Sequence, residues 1–196
     1  MPVRFPTRAL IAHFTWCKRS RPLSLAVIYL KNRVNRAWQR SDDYPQEAVL
    51  DEDAKERFRN RLLPILASSE TLVRHQLVPI LQRILHFDFP ERWPTFMDYT
   101  VQLLNANNAP AVLAGLQCLL AICRSFRYKM SDTDNRAQFE KIVEVSFPRL
   151  LAVCDELVNQ DSEEAGEMLH IALKAYKHTA WVSSHVYWKH GNRMNC

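Results

Sequence analysis

The chain has 196 residues, a formal net charge of +5 and 47% apolar residues, against only three glycines and ten prolines. Three isolated glycines cannot build a phosphate-cradling loop, and no segment alternates with period two, so hairpin-rich β folds are excluded and an all-α chain punctuated by proline is predicted. The five cysteines are odd in number and include no Cys-x-x-Cys pair, which suits a reducing cytosol or nucleus better than secretion.

Met1–Arg21 is bracketed by Pro2, Pro6 and Pro22, and is basic and free of acid. It superficially resembles a transit peptide, but the preferred reading is an atypical, non-native or irregular start. From Pro22 to about Arg40 a helix is predicted, with Val27, Leu30, Val34 and Trp38 on one stripe and Asn32, Asn35 and Arg36 on the opposite face. Ser41–Pro45 is a loop. A second helix spans about 51–68, where Asp51, Glu52 and Asp53 suit the positive end of the helix dipole. Its apolar face is Phe58, Leu62, Ile65 and Leu66, and Pro64 is expected to kink it. The third, about 70–86, carries Val73, Leu77, Ile80, Leu81 and Ile84, with Pro79 expected to bend it.

The chain is organised around Phe87-Asp88-Phe89-Pro90-Glu91-Arg92-Trp93-Pro94. Pro90 cannot continue the preceding helix, while Pro94 suits the first position of the next. Phe89 and Trp93 supply apolar surface that pins the turn. Helices are then expected over about 94–104, 110–126, 134–158 (kinked near Pro148) and 162–181. The 110–126 segment is apolar on nearly every side, the pattern of a helix buried between neighbours; the longest apolar run, Ala109–Cys123, is interrupted by Gln117 and reads as too short for a bilayer. Arg127–Thr133 is a polar connection, and 182–196 is set apart as an atypical tail.

Helices pair through short loops, and the pairs recur about every forty to fifty residues, the period of HEAT or armadillo solenoids. Pro64 and Pro148 fall at similar depths in the first helices of two pairs. A single pair cannot bury its own apolar face, so pairs stack on a shared core. Neither end looks like a polar cap, and a piece of a longer array is expected.

Charge is unevenly spread. Residues 1–41 hold nine Arg and Lys and no acid, whereas the charged residues from Cys154 to Leu173 are all acidic. Lys31, Arg33, Arg36 and Arg40 make a basic stripe of the kind that binds nucleic acid, but the aromatic residues occupy core positions and do not interleave with them. His75 and His86 lack metal-ligand spacing, and Cys118 and Cys123 sit in an apolar helix. Ser183-Ser184-His185 is a sequence neighbourhood, not a triad. No enzyme activity, metal or cofactor is expected.

Ala26-Val27-Ile28-Tyr29-Leu30-Lys31-Asn32, followed by Trp38, resembles the helix near the start of importin-β superfamily nuclear transport receptors. Asp88-Phe89-Pro90-Glu91-Arg92-Trp93-Pro94 resembles the Pro-x-x-Trp-Pro turn after their second repeat. The nearest branch is that of importins seven and eight and their fungal relatives, and the resemblance runs from about Leu23 to Trp181. It implies a HEAT-repeat solenoid of three to four helical pairs over 22–181, with Phe89, Pro90, Trp93 and Pro94 as the inter-repeat turn. It implies binding of the small GTPase Ran in its GTP form, with Lys31, Asn32, Asn35, Arg36, His75 and Gln82 as candidate contacts. Cargo proteins and nucleoporins are implied as partners of the full-length receptor, without membrane insertion, and the nucleus, cytoplasm and nuclear pore as its location. The acidic stretch Asp155–Glu167 is a weaker candidate for basic import signals. Two other readings stay open: a HEAT scaffold of another class, and a basic helical nucleic-acid binder.

Overall fold

A computed structural model describes residues 20–40, 49–126, 129 and 133–191, with side chains described between Leu25 and Ala180. Within these the chain is an all-α HEAT-repeat solenoid without a strand. Its seven helices are α1 Ser20–Ala37, α2 Glu52–Ser68, α3 Thr71–Asp88, α4 Phe96–Leu104, α5 Ala109–Phe126, α6 Thr133–Leu157 and α7 Glu163–Gly191. They fall into two compact units, Met1–Phe87 and Asp88–Cys196. The expectations for 1–19, for the 41–45 loop and for most of the 127–133 connection lie outside the described residues.

In the first unit, α2 starts at Asp51 because its Oδ1 accepts the Ala54 amide at 2.6 Å, and Glu52 and Asp53 follow in the first turn. It stops at Ser69, whose backbone turns extended. Arg74 from α3 then reaches back, donating from Nε to the Leu66 carbonyl and from Nη2 to the Ser69 carbonyl at 2.7 Å, which satisfies acceptors the helix end leaves open. Trp38 packs edge-on against Phe58, with ring centroids 5.7 Å apart. Around them Val27, Val34, Leu62, Leu66, Val73, Leu77, Ile80, Leu81 and Ile84 form the core.

The three interior prolines leave their helices continuous. Pro64, Pro79 and Pro148 are all exposed, and so are Asn60, His75 and Glu144, one turn earlier. The carbonyls that lose an amide donor there belong to residues on the water side, so each helix passes through its proline.

The second unit opens on a turn closed by the Asp88 carbonyl, which accepts from the amides of Arg92 at 2.8 Å and Trp93 at 3.1 Å. The Phe89–Pro90 peptide is cis. Phe89 and Trp93 are buried, while Pro94 is exposed. Phe89 meets Phe96 and Phe126 edge-on, Trp93 meets Phe96, and Phe126 meets Phe139, all with centroids 5.0–6.0 Å apart. Lys129 Nζ donates to the Phe89 carbonyl at 3.5 Å. The helix expected to begin at Pro94 begins at Phe96. The Phe96 amide bonds the Trp93 carbonyl at 3.3 Å, a three-residue closure that makes Pro94–Thr95 a turn rather than a first helical turn.

α5 is the centre of this unit, packed by α4, α6 and α7. Every residue from Ala111 to Cys123 is buried. At 18 residues and a mean hydropathy of 1.6, α5 is long and apolar enough by length and composition alone to cross a membrane; here its apolar surface is taken up by neighbouring helices. Asn108 Oδ1 caps its start through the Ala111 amide at 2.9 Å. Gly115 lets α4 come close: a Cβ there would stand 2.9 Å from the Leu104 amide nitrogen. Arg149 of α6 donates from Nε to the Leu104 carbonyl at 2.9 Å and from Nη1 to Glu156 at 2.7 Å. Ser162 Oγ caps α7 through the Ala165 amide. α7 then continues to Gly191, ten residues past the end expected at Trp181.

Candidate partner-binding surface

All six residues singled out as candidate contacts lie in the first unit, four on α1 and two on α3. At 100° per residue, Val27, Val34 and Trp38 fall on one side of α1 and are buried, while Asn32, Asn35 and Arg36 fall on the other and are exposed. Lys31 differs from the outward position expected of it. It shares the stripe of Val27 and Val34, so its stem is half-buried, and its Nζ donates to Gln76 Oε1 on α3 at 3.3 Å. That hydrogen bond places α1 and α3 side by side.

On α3, His75 is exposed and Gln82 half-buried, seven residues apart and so on one stripe. The Gln82 Nε2 is buried and donates to no acceptor among the described residues, leaving a hydrogen-bonding group unused at the edge of this surface. Further along, Arg83 stacks its guanidinium over the Phe87 ring at 4.4 Å, and His86 meets the same ring edge-on. Gln76 is the residue that sequence reasoning missed. No local pattern marks a glutamine as the partner of a lysine 45 residues earlier.

Two further cations are turned inward. Arg59 Nη2 lies 2.9 Å from Glu52 and Lys55 Nζ lies 3.5 Å from it, both cations nearly buried. Partial desolvation pulls the Glu52 carboxyl up, but the Arg59 hydrogen bond and the two positive charges outweigh it and hold its pKa below the ordinary value.

The surface thus offers amide groups, an imidazole and cations on two adjacent helices. Among the described residues no three of His, Cys, Asp and Glu converge as a metal site would require. In the second unit, burial pushes the Cys118 thiol well up and the Cys123 thiol to about 12. These are core side chains, not nucleophiles.

Residues 15–68 match the family described as Importin-beta N-terminal domain, and residues 70–188, more than half of the chain, match Exportin 1-like protein. The chain belongs to the importin-β family. Within that family it is 28% identical over 149 residues to a probable importin-7 homolog of Dictyostelium discoideum, covering 76% of this chain and 14% of the relative. It is 30% identical over 149 residues to an importin beta-like SAD2 homolog of Arabidopsis thaliana, again covering 76% of this chain and 14% of the relative. This importin-β family chain therefore spans about one seventh of the length of those relatives. Its fold matches the exportin Cse1 in its cargo-free, cytoplasmic state, with a TM-score of 0.73 at 16% identity, over 88% of this chain and 19% of that one. The homologues are nuclear transport receptors, a family of carriers rather than enzymes.

Proposed function

We propose that this chain is the Ran-binding part of a nuclear import receptor, and that it engages the GTP form of Ran through α1 and α3. The observation that carries the reading is the Lys31–Gln76 hydrogen bond, which makes the polar groups of two helices into one surface. Asn32, Asn35, Arg36 and His75 present that surface to solvent, and Gln82 holds a spare donor at its edge. Lys31 acts through its held position: a half-buried stem loses less freedom when its ammonium is engaged by a partner. Binding of GTP-loaded Ran then favours one curvature of the solenoid and disfavours cargo, a coupling between two sites. In the full-length receptor the partners are cargo and nucleoporins, and the receptor shuttles between cytoplasm and nucleus through the pore.

The test is a titration of the chain against Ran loaded with GTP and, separately, with GDP. Preference for the GTP form is expected. Asn32→Ala, Arg36→Ala and His75→Ala should each weaken binding by about five- to thirtyfold, the usual effect of an interface anchor. Equal or absent binding with helicity intact would leave a HEAT scaffold of another class. The nucleic-acid reading would instead need affinity for RNA or DNA that falls steeply with salt. The turning of Lys55 and Arg59 toward Glu52 weighs against it.

A further inference from the structure

Among the described residues of the first unit, the exposed large apolar side chains are Leu25, Ile28, Tyr29 and Leu72. All four stand on α1 and α3, and α2 carries none. Leu72 is 70% exposed and comes four residues before Gln76, so the two share one stripe of α3. Gln76 holds Lys31, which turns that stripe toward α1. The exposure of Leu72 is therefore a property of the α1–α3 pair. On α1, Ile28 comes three residues before Lys31 and is 40% exposed. Each helix thus sets one apolar side chain a single turn from the Lys31–Gln76 hydrogen bond, about 5 Å along its axis.

The charge beside these side chains has one sign. α1 contains no Asp or Glu, and the one acid of α3, Asp88, is 0% exposed. The next acid in sequence, Glu70, stands ahead of the α3 start. Arg83 continues the stripe of Leu72 and Gln76 seven residues on, over the half-buried Phe87 ring. Gln76 is neutral, so it fixes the Lys31 ammonium without cancelling its charge. An ammonium has three N–H donors, and this bond uses one of them.

Resting on the reading that α1 and α3 meet the GTP form of Ran, we infer what that partner brings to them. Leu72 and Ile28 receive an apolar side chain of the partner, and Lys31 receives a carboxylate next to it. Apolar contact at the centre with charge at the rim is the usual make-up of such an interface. Charge complementarity selects the occupant, because a basic flank would set cation against Lys31 and Arg83. Leu72 and Ile28 then join the polar groups of the proposed surface as its apolar part.

Titration of the full chain against GTP-loaded Ran tests this, with circular dichroism to check that each variant stays folded. Leu72→Ala should weaken binding about tenfold, and Ile28→Ala, a second and independent variant, should act in the same direction. Leu72→Lys should bind better than Leu72→Asp, because only the aspartate sets like charges together. Gln76→Glu neutralises Lys31, so it should weaken binding and flatten the fall of the association rate with salt. Unchanged binding in both Leu72→Ala and Ile28→Ala, with the parent chain still preferring GTP-loaded Ran, would overturn the inference and leave the Ran reading standing. Leu72→Asp binding as well as Leu72→Lys would overturn it too. A parent chain that shows no preference for the GTP form overturns the Ran reading itself, and this inference with it.

Discussion

Two glycines in helices show how little residue type decides and how much the neighbours do. Gly115 faces the Leu104 backbone at 2.9 Å and the Leu103 Cβ at 3.1 Å, whereas a Cβ on Gly166 meets nothing within 4 Å. Gly115→Ala should therefore force α4 and α5 apart and cost about 1–3 kcal/mol, the penalty of overpacking. Gly166→Ala, in an open first turn of α7, should stabilise by about 0.5–1 kcal/mol through the lost freedom of the unfolded chain. Urea unfolding of the two variants checks the opposite signs. Sequence alone reads both as glycines inside helical patterns, because the feature that separates them is the distance to another helix. The same holds for the candidate surface. Helical phase gives the exposed faces of Asn32, Asn35 and Arg36, but the partner that draws in Lys31 lies 45 residues away.

At the scale of elements, apolar spacing and start signals are short-range and were legible. α2 begins after the acidic Asp51, and α5 is buried nearly all round, as its even hydrophobicity implies. Two boundaries were not. α4 starts at Phe96 because backbone closure in the aromatic turn takes precedence over the preference of Pro94 for a first helical position. α7 runs to Gly191 through Val182-Ser183-Ser184-His185, a stretch whose β-branched and hydroxyl residues are individually poor helix formers. Junctions between elements were also beyond local reading. Arg149 joins α6 to the last turn of α4 by donating to the Leu104 carbonyl, a cation at the negative end of a helix. Arg149→Met keeps much of the stem and removes both hydrogen bonds. It should cost about 1–3 kcal/mol, most of it from the half-buried carbonyl left without its charged donor, and thermal unfolding of the variant measures it.

For the whole molecule, the all-α class and the repeat period come from composition and spacing, since a chain poor in glycine with paired amphipathic helices has few other ways to bury its surface. The arrangement of the polar groups on α1 and α3 does not, because it depends on which helices touch. The interior prolines belong to this scale too. Pro64 sits within Leu62-Leu63-Pro64-Ile65-Leu66, Pro79 within Leu77-Val78-Pro79-Ile80-Leu81, and Pro148 within Phe147-Pro148-Arg149-Leu150-Leu151. Pro64 and Pro79 each divide an apolar run of their helix, at a position where the folded helix gives the missing hydrogen bond up to water, whereas Pro148 is followed directly by the charged Arg149. Off the native fold, uninterrupted runs of this kind are the segments that stack into cross-β, and proline cannot donate to such a ladder. Pro79→Ala should raise the melting temperature while increasing light scattering during refolding from urea; unchanged scattering would refute the idea. Increased scattering would make Pro64 and Pro79 aggregation gatekeepers, residues whose value is felt chiefly while the chain is unfolded.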